Sequence, residues 1–202
     1  MTININGGPI TVSCCGGDPA PALAVLHRED LYRLSAATVL PEQINGTIQM
    51  GQRFVAAKAI LRAGKAITHL LVPVAVEALG VATGEARLAV YSSTGALLTM
   101  SPNDPKLFRG FSGWQSTPLV SPVLAEPEDR VVWLAALVPA YDERPPTLIT
   151  VNDPVRAFHN LYNTHGLRTF TLFDRTELPS DIGGDSPSMD TVPCIVGADL
   201  SV

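Results

Sequence analysis

The side chains in this sequence that could do chemistry are its histidines, cysteines, carboxylates and one group of aromatics. The four histidines, His27, His69, His159 and His165, stand in four different local settings. None sits in the H-x-x-x-H or Cys-x-x-Cys spacing that holds zinc, so no metal or other cofactor is expected. Of the three cysteines, Cys14 and Cys15 are adjacent and Cys194 lies far along the chain. An odd count makes a poor disulfide framework. Adjacent side chains on an extended strand point to opposite sides, which favours reduced, packed thiols over a redox or metal pair. No G-x-S-x-G elbow mounts a serine for nucleophilic attack; Gly113 merely follows Ser112. Glu126, Glu128 and Asp129 could act as paired acids on a glycoside, yet they flank Pro127 and read as a solvated turn. The stretch Asp181 to Asp190 has oxygens suited to calcium but lacks the D-x-[DN]-x-[DN]-G order of a calcium loop.

The aromatics make the more pointed candidate. Phe108, Phe111 and Trp114 fall within one long loop, Ser101 to Gln115, and Tyr91 is expected on the outward face of a nearby hairpin. Aromatic faces stack on sugar rings and fill protein pockets, and exposed clusters mark contact surfaces. These four residues form the candidate ligand-binding site, for a glycan or a protein. The plainer reading is that Phe108 and Trp114 plug the open end of a sandwich, because large aromatics are readily buried.

Those residues must be held by a folded body. The 202-residue chain is 46% hydrophobic and only 16% charged, a composition that folds rather than stays disordered. Its net charge of −5 and its scattered lysines (Lys58, Lys65, Lys106) leave no basic stripe for a nucleic acid. The longest apolar stretch, Ala66 to Ala82, is broken by Thr68, His69, Pro73 and Glu77 and falls short of a membrane span. The opening MTININGGPITV has no basic segment leading into an apolar one, so synthesis in a cytoplasm is expected.

The pattern predicts an N-terminal arm over 1–50, a β-sandwich over 51–176 and a C-terminal tail over 177–202 rich in Gly, Pro, Ser and Asp. His27 to Leu34 could form a helical turn or two. From Gly51 onward, short apolar runs alternate with turn signals, as in a sandwich or barrel. Arg53 to Leu61 is open between strand and helix, since FVAAKAILRAG holds good helix formers and a glycine where a helix would stop. Ile67 to Val76 puts Leu70, Val72, Val74 and Val76 on one strand face, and Pro73 argues against helix there. Leu88 and Val90 alternate with Arg87, Ala89 and Tyr91 before the Ser93-Thr94-Gly95 turn into Ala96 to Met100. Thr117 to Leu124 and Val131 to Val138 read as strands, the second apolar on both sides and therefore central. Thr147 to Val151 reads as a further strand. Asp153-Pro154 opens a short helix burying Phe158, Leu161 and Tyr162, and Leu167 to Phe173 closes the domain as a strand.

Five features recur in order between Gln52 and Val138: the strand and Ala-Gly turn at Ile60 to Gly64, the strand Ile67 to Val74, the hairpin ARLAVYSSTGALL, the pair Gly113-Trp114 leading into Thr117 to Val123, and VVWLAALV. That stretch resembles a β-sandwich (jelly-roll) module of minor tail and other virion structural proteins of phages infecting actinobacteria. Where such modules carry an LY-x-x-x-G-x-L hairpin, this chain has Val90 before Tyr91 and Gly95 after it. The resemblance implies an all-β jelly roll with extended arms and a non-enzymatic virion component, in the tail or tail tip. It would be assembled as a homo-oligomer in the host cytoplasm and would touch other virion proteins or a host surface. A carbohydrate-binding adhesin and a capsid decoration or head-fibre protein are the alternatives. Jelly rolls suit such work because two packed sheets are a rigid support for variable loops, and arms can order on neighbouring copies.

Overall fold

The computed structural model describes residues 34–38, 46–151, 169–182 and 192–200. Among them the protein is all-β, and no helix is present. The strands, in chain order, are β1 (Leu34–Ala37), β2 (Gly46–Gln49), β3 (Arg53–Leu61), β4 (Ile67–Val76), β5 (Ala82–Thr83), β6 (Arg87–Ser92) and β7 (Leu97–Met100). They continue with β8 (Gly113–Val123), β9 (Arg130–Val138), β10 (Ala140–Tyr141), β11 (Thr147–Val151), β12 (Thr169–Phe173), β13 (Val192–Pro193) and β14 (Val196–Ala198).

The smaller main sheet runs β12-β3-β9-β6-β7, every pair antiparallel. Its central strand is β9, as its two-sided apolar sequence predicts. Val132, Leu134, Ala136 and Val138 face one way, and Trp133, Ala135 and Leu137 the other. Strand β3 lies against β9 without a slip, from Arg53 opposite Val138 to Leu61 opposite Arg130. Strand wins over helix there because pairing on both edges buries Val55, Ala59 and Leu61 on one face and Phe54 and Ala56 on the other. The Ser93–Gly95 turn makes the expected hairpin of β6 and β7, with Gly95 at φ 101°, a conformation natural to glycine.

The larger sheet follows β1-β14-β4-β11-β13, with β2 on β11 and β8 on β4. Leu70, Val72 and Val74 of β4 are fully buried; Val76, expected on the same face, is exposed at the strand's end. Leu70, Val72, Val74 and Leu148 from this sheet share a single core with Val55, Leu88, Val90 and Leu134 from the other. Each such fully buried aliphatic side chain contributes roughly 1.5–3 kcal/mol relative to exposure. Strand β8 bulges between Pro118 and Val123, whose partners His69 and Ile67 are only two positions apart. At the bulge the Thr99 hydroxyl of β7 donates to Ser121 O (2.9 Å), stitching the two sheets together along this side. A third, two-stranded ladder of β5 and β10 extends one end.

Stretches expected in the arm and tail take part in these sheets. β1 and β2 precede Gly51, and β13 and β14 lie within 192–198, yet all four are strands of the larger sheet. They are two to four residues long and pair with remote partners, so no local periodicity announces them. The helical turns expected over His27 to Leu34 lie outside the described residues except for Leu34, which begins β1. The helix expected from Asp153, with Phe158, Leu161 and Tyr162, lies outside them altogether. No helix of the described residues is long and apolar enough to cross a membrane.

Candidate contact surface at the loop end

The loop between β7 and β8 is fastened at nearly every residue. The Asn103 carboxamide accepts from Ala86 N (3.0 Å), and Asp104 N donates to Ala86 O (3.1 Å). The Asp104 carboxylate accepts from Lys106 N (2.9 Å), and Asp104 O accepts from Leu107 N (2.9 Å). Phe108 then adopts φ 73°, in the left-handed region, which is an outlier for a bulky residue. This reversal drives the Phe108 ring fully into the shared core and leaves Phe111 at 56% exposure.

Several bonds hold the strained residue in place. Phe108 N donates to the buried Gln115 Oε1 (2.6 Å), and Gln115 Nε2 donates onward to Phe111 O (2.7 Å). Phe108 O accepts from Ala78 N (2.8 Å), and the Tyr141 hydroxyl donates to Leu107 O (3.2 Å). Burial is the main reason that the Tyr141 phenol is pushed up to about 12, so it remains a donor at any physiological pH.

The adjoining loops are tied just as firmly. Leu79 and Arg144 exchange both backbone bonds (2.9 and 3.3 Å), and Asp142 Oδ1 accepts from Val81 N (2.6 Å). Gly80, at φ 88°, admits this carboxylate: a Cβ there would stand 1.9 Å from Asp142 Oδ1. Because Gly113 pairs with Val74, the chain at Phe111 emerges beside the end of β4. Val76 (38% exposed), Leu79 (40%), Val81 (64%) and Phe111 (56%) therefore crown one end of the molecule, half of the eight exposed large hydrophobics among the described residues. Exposed Lys106, Arg109, Asp142 and Glu143 stand in the same loops, giving both signs of charge around the apolar crown. What such an arrangement can do is present a preformed apolar surface at low entropic cost.

The expected aromatic cluster divides. Gln115 ties Phe108 and Phe111 to the start of β8. Trp114 belongs to β8 rather than the loop and, half-buried, packs against the cluster of Ala57, Ile149, Cys194 and Val196. The exposed role expected of Tyr91 is corrected. Its side chain does leave the sheet on the outer face, but residues 176–182 cross that face and cover it completely. Leu97 N donates to Ser180 O (3.0 Å), Ile182 N to Gly95 O (3.0 Å), and the Tyr91 hydroxyl to Pro179 O (2.8 Å). The Tyr91 ring meets Phe54 edge-on, centroids 5.8 Å apart. Phe108, likewise expected in the binding loop, is a core residue, while Trp114, which the plug reading paired with it, packs against a separate cluster.

The other candidates are placed as follows. Glu126 pairs with Arg130, and the exposed Asp129 accepts from Ala63 N (2.7 Å) and Arg62 Nη1 (3.0 Å), so the acidic turn is braced by its own neighbours. His69 lies in β4 with its Nδ1 3.0 Å from the Thr68 hydroxyl. Cys194 is a free buried thiol, pushed up to about 12 by burial. Among the described residues no group of His, Cys, Asp and Glu is arranged to hold a metal ion. His27, His159, His165, Cys14 and Cys15 lie outside the described residues.

Sequence reasoning missed Gln115. A lone glutamine after Gly-Trp carries no motif, and its role depends on the left-handed residue seven positions earlier. Comparison with protein-family models and with curated proteins found no match.

Proposed function

We propose that this protein is a non-enzymatic structural component of a phage virion, a minor tail or tail-tip protein, whose loop end contacts copies of itself or other virion proteins. On this reading it assembles in the host cytoplasm and works in the particle. Two antiparallel sheets across one core support the finer reading of the fold as a jelly roll. The observation that carries the function is the exposed Phe111 ring on a loop that Gln115 and the left-handed Phe108 hold still. Apolar groups fixed in this way at the end of a rigid body suit protein contact, because little conformational freedom remains to be lost on binding.

Size-exclusion chromatography with light scattering tests this reading against the Phe111→Ser variant. The parent chain is expected to be oligomeric, and the variant smaller with unchanged melting. A parent that stays monomeric at every salt concentration overturns the assembly role, and a tagged chain absent from purified particles overturns the virion assignment. The exposed face of Phe111 also favours a second reading, a carbohydrate-binding adhesin, because such a ring can stack on a sugar. A glycan array with no binding to cell-wall sugars removes it.

A further inference from the structure

The larger sheet is completed from the far end of the chain. Strand β14 is inserted between β1 and β4 rather than added at an edge, with Ala37 opposite Val196 on one side and Leu71 opposite Val196 on the other. Its lead-in is fixed by a reciprocal pair: Thr38 N donates to Ile195 O (3.0 Å), and Ile195 N donates to Thr38 Oγ1 (2.9 Å), across 157 positions of sequence. Its exit is fixed by Thr68, whose hydroxyl donates to Ala198 O (3.3 Å) and accepts from Leu200 N (2.8 Å). Ile195 fills the shared core, and Gly197 lies so close to Ile67 that a Cβ would stand 3.0–3.1 Å from three of its side-chain carbons.

Taken away, this strand leaves β1 without its partner and opens the edge of β4 over residues 69–71. Open strand edges are templates for any chain that fits. Here the fit is narrow: a buried aliphatic at 195, no side chain at 197, and backbone bonds keyed to Thr38 and Thr68. The segment that meets this specification is residues 192–200 of this same sequence. Tethering supplies the strand in cis at an effective concentration of roughly millimolar order, which crowded copies in an assembly can match.

We propose that the gap between β1 and β4 is a strand-accepting site, and that a second copy of this chain can fill it with its own β14, coupling subunits by strand exchange. The proposal deepens the assembly reading above and names its partner segment. Gly197 is then a specificity determinant as well as a packing residue.

Two full-length single-cysteine variants test it, Ala37→Cys and Val196→Cys, each made with Cys14→Ser, Cys15→Ser and Cys194→Ala. The flanking Thr38 N to Ile195 O bond makes Ala37 and Val196 the non-hydrogen-bonded kind of antiparallel pair. Cα atoms in such pairs stand about 4.5 Å apart, within disulfide reach. Neither variant can form this link alone, so after co-refolding and oxidation a mixed disulfide dimer reports one copy's strand in the other's gap. The dimer fraction is expected to rise with protein concentration and to vanish when Gly197→Val is added to the Val196→Cys chain. Leu34→Cys with Ala198→Cys gives a second registered pair should either variant fail to fold. No mixed disulfide from folded variants at any concentration overturns the proposal. A parent chain that scatters as an oligomer yet yields none leaves the assembly reading standing without exchange.

Discussion

The two main sheets are built by different routes. The smaller one is mostly a product of nearby sequence: β3, β6, β7 and β9 come from residues 53–138, its longest ladder has no slip, and its central strand is apolar on both faces. The larger one gathers strands from Leu34 to Ala198, and three of its ladders carry register shifts. The smaller sheet and β4 of the larger one are specified by side-chain pattern, whereas β1, β2, β13 and β14 of the larger sheet are specified by partners found at long range. Pattern-specified strands can be recognised one at a time, whereas the others acquire meaning only in the assembled sheet.

Substitutions can break or sharpen this contrast. Leu134→Ala, in the central strand of the smaller sheet, removes a fully buried side chain and is expected to cost about 2–5 kcal/mol in urea unfolding. Leu71→Ala, half-buried in β4 of the larger sheet, should cost clearly less, and an equal loss would show that this position is packed as tightly as the shared core. Gln115→Ala orphans the buried Phe108 N–H and should cost roughly 1–3 kcal/mol, with faster amide exchange at Phe108 as its signature.

The smallest expected effect is that of Tyr91→Phe, at about 0.5–1.5 kcal/mol for the bond to Pro179 O. Burial also holds the Tyr91 phenol protonated well above its ordinary value of 10.0. The folded state therefore keeps a proton that the unfolded chain loses, and the stabilisation is complete below pH 10 and falls as pH rises beyond it. Tyr91→Phe should make that alkaline decline shallower in thermal melts followed from pH 8 to 11, the remainder coming from Cys194 and Tyr141, which burial also holds protonated; an unchanged decline would show that Tyr91 does not contribute.

The same contrast explains what could be read in the sequence. The strands Ile67–Val76 and Arg130–Val138 and the hairpin at Gly95 were legible because two-residue periodicity and turn chemistry are local signals. β1, β2, β13 and β14 were not, because segments this short owe their conformation to hydrogen bonds with distant strands. At the candidate surface, the aromatic loop itself was legible and the direction of each ring was not. Phe108 and Phe111 are separated by three positions and a left-handed backbone angle that no residue type announces. Tyr91 follows the alternation as expected, but the cover over it comes from residues 176–182, nearly ninety positions downstream.

The ladder joining β1 to β14 has a mechanical consequence. Leu34 and Ala198 face one another at the same end of this antiparallel pair, where the chain enters β1 and leaves β14. Tension applied through those two directions loads the bonds singly, opening the ladder like a zipper instead of shearing it all at once. Force reaching the subunit through Leu34 and Ala198 would thus part β1 from β14 first, while the ladder between β3 and β9 stays closed.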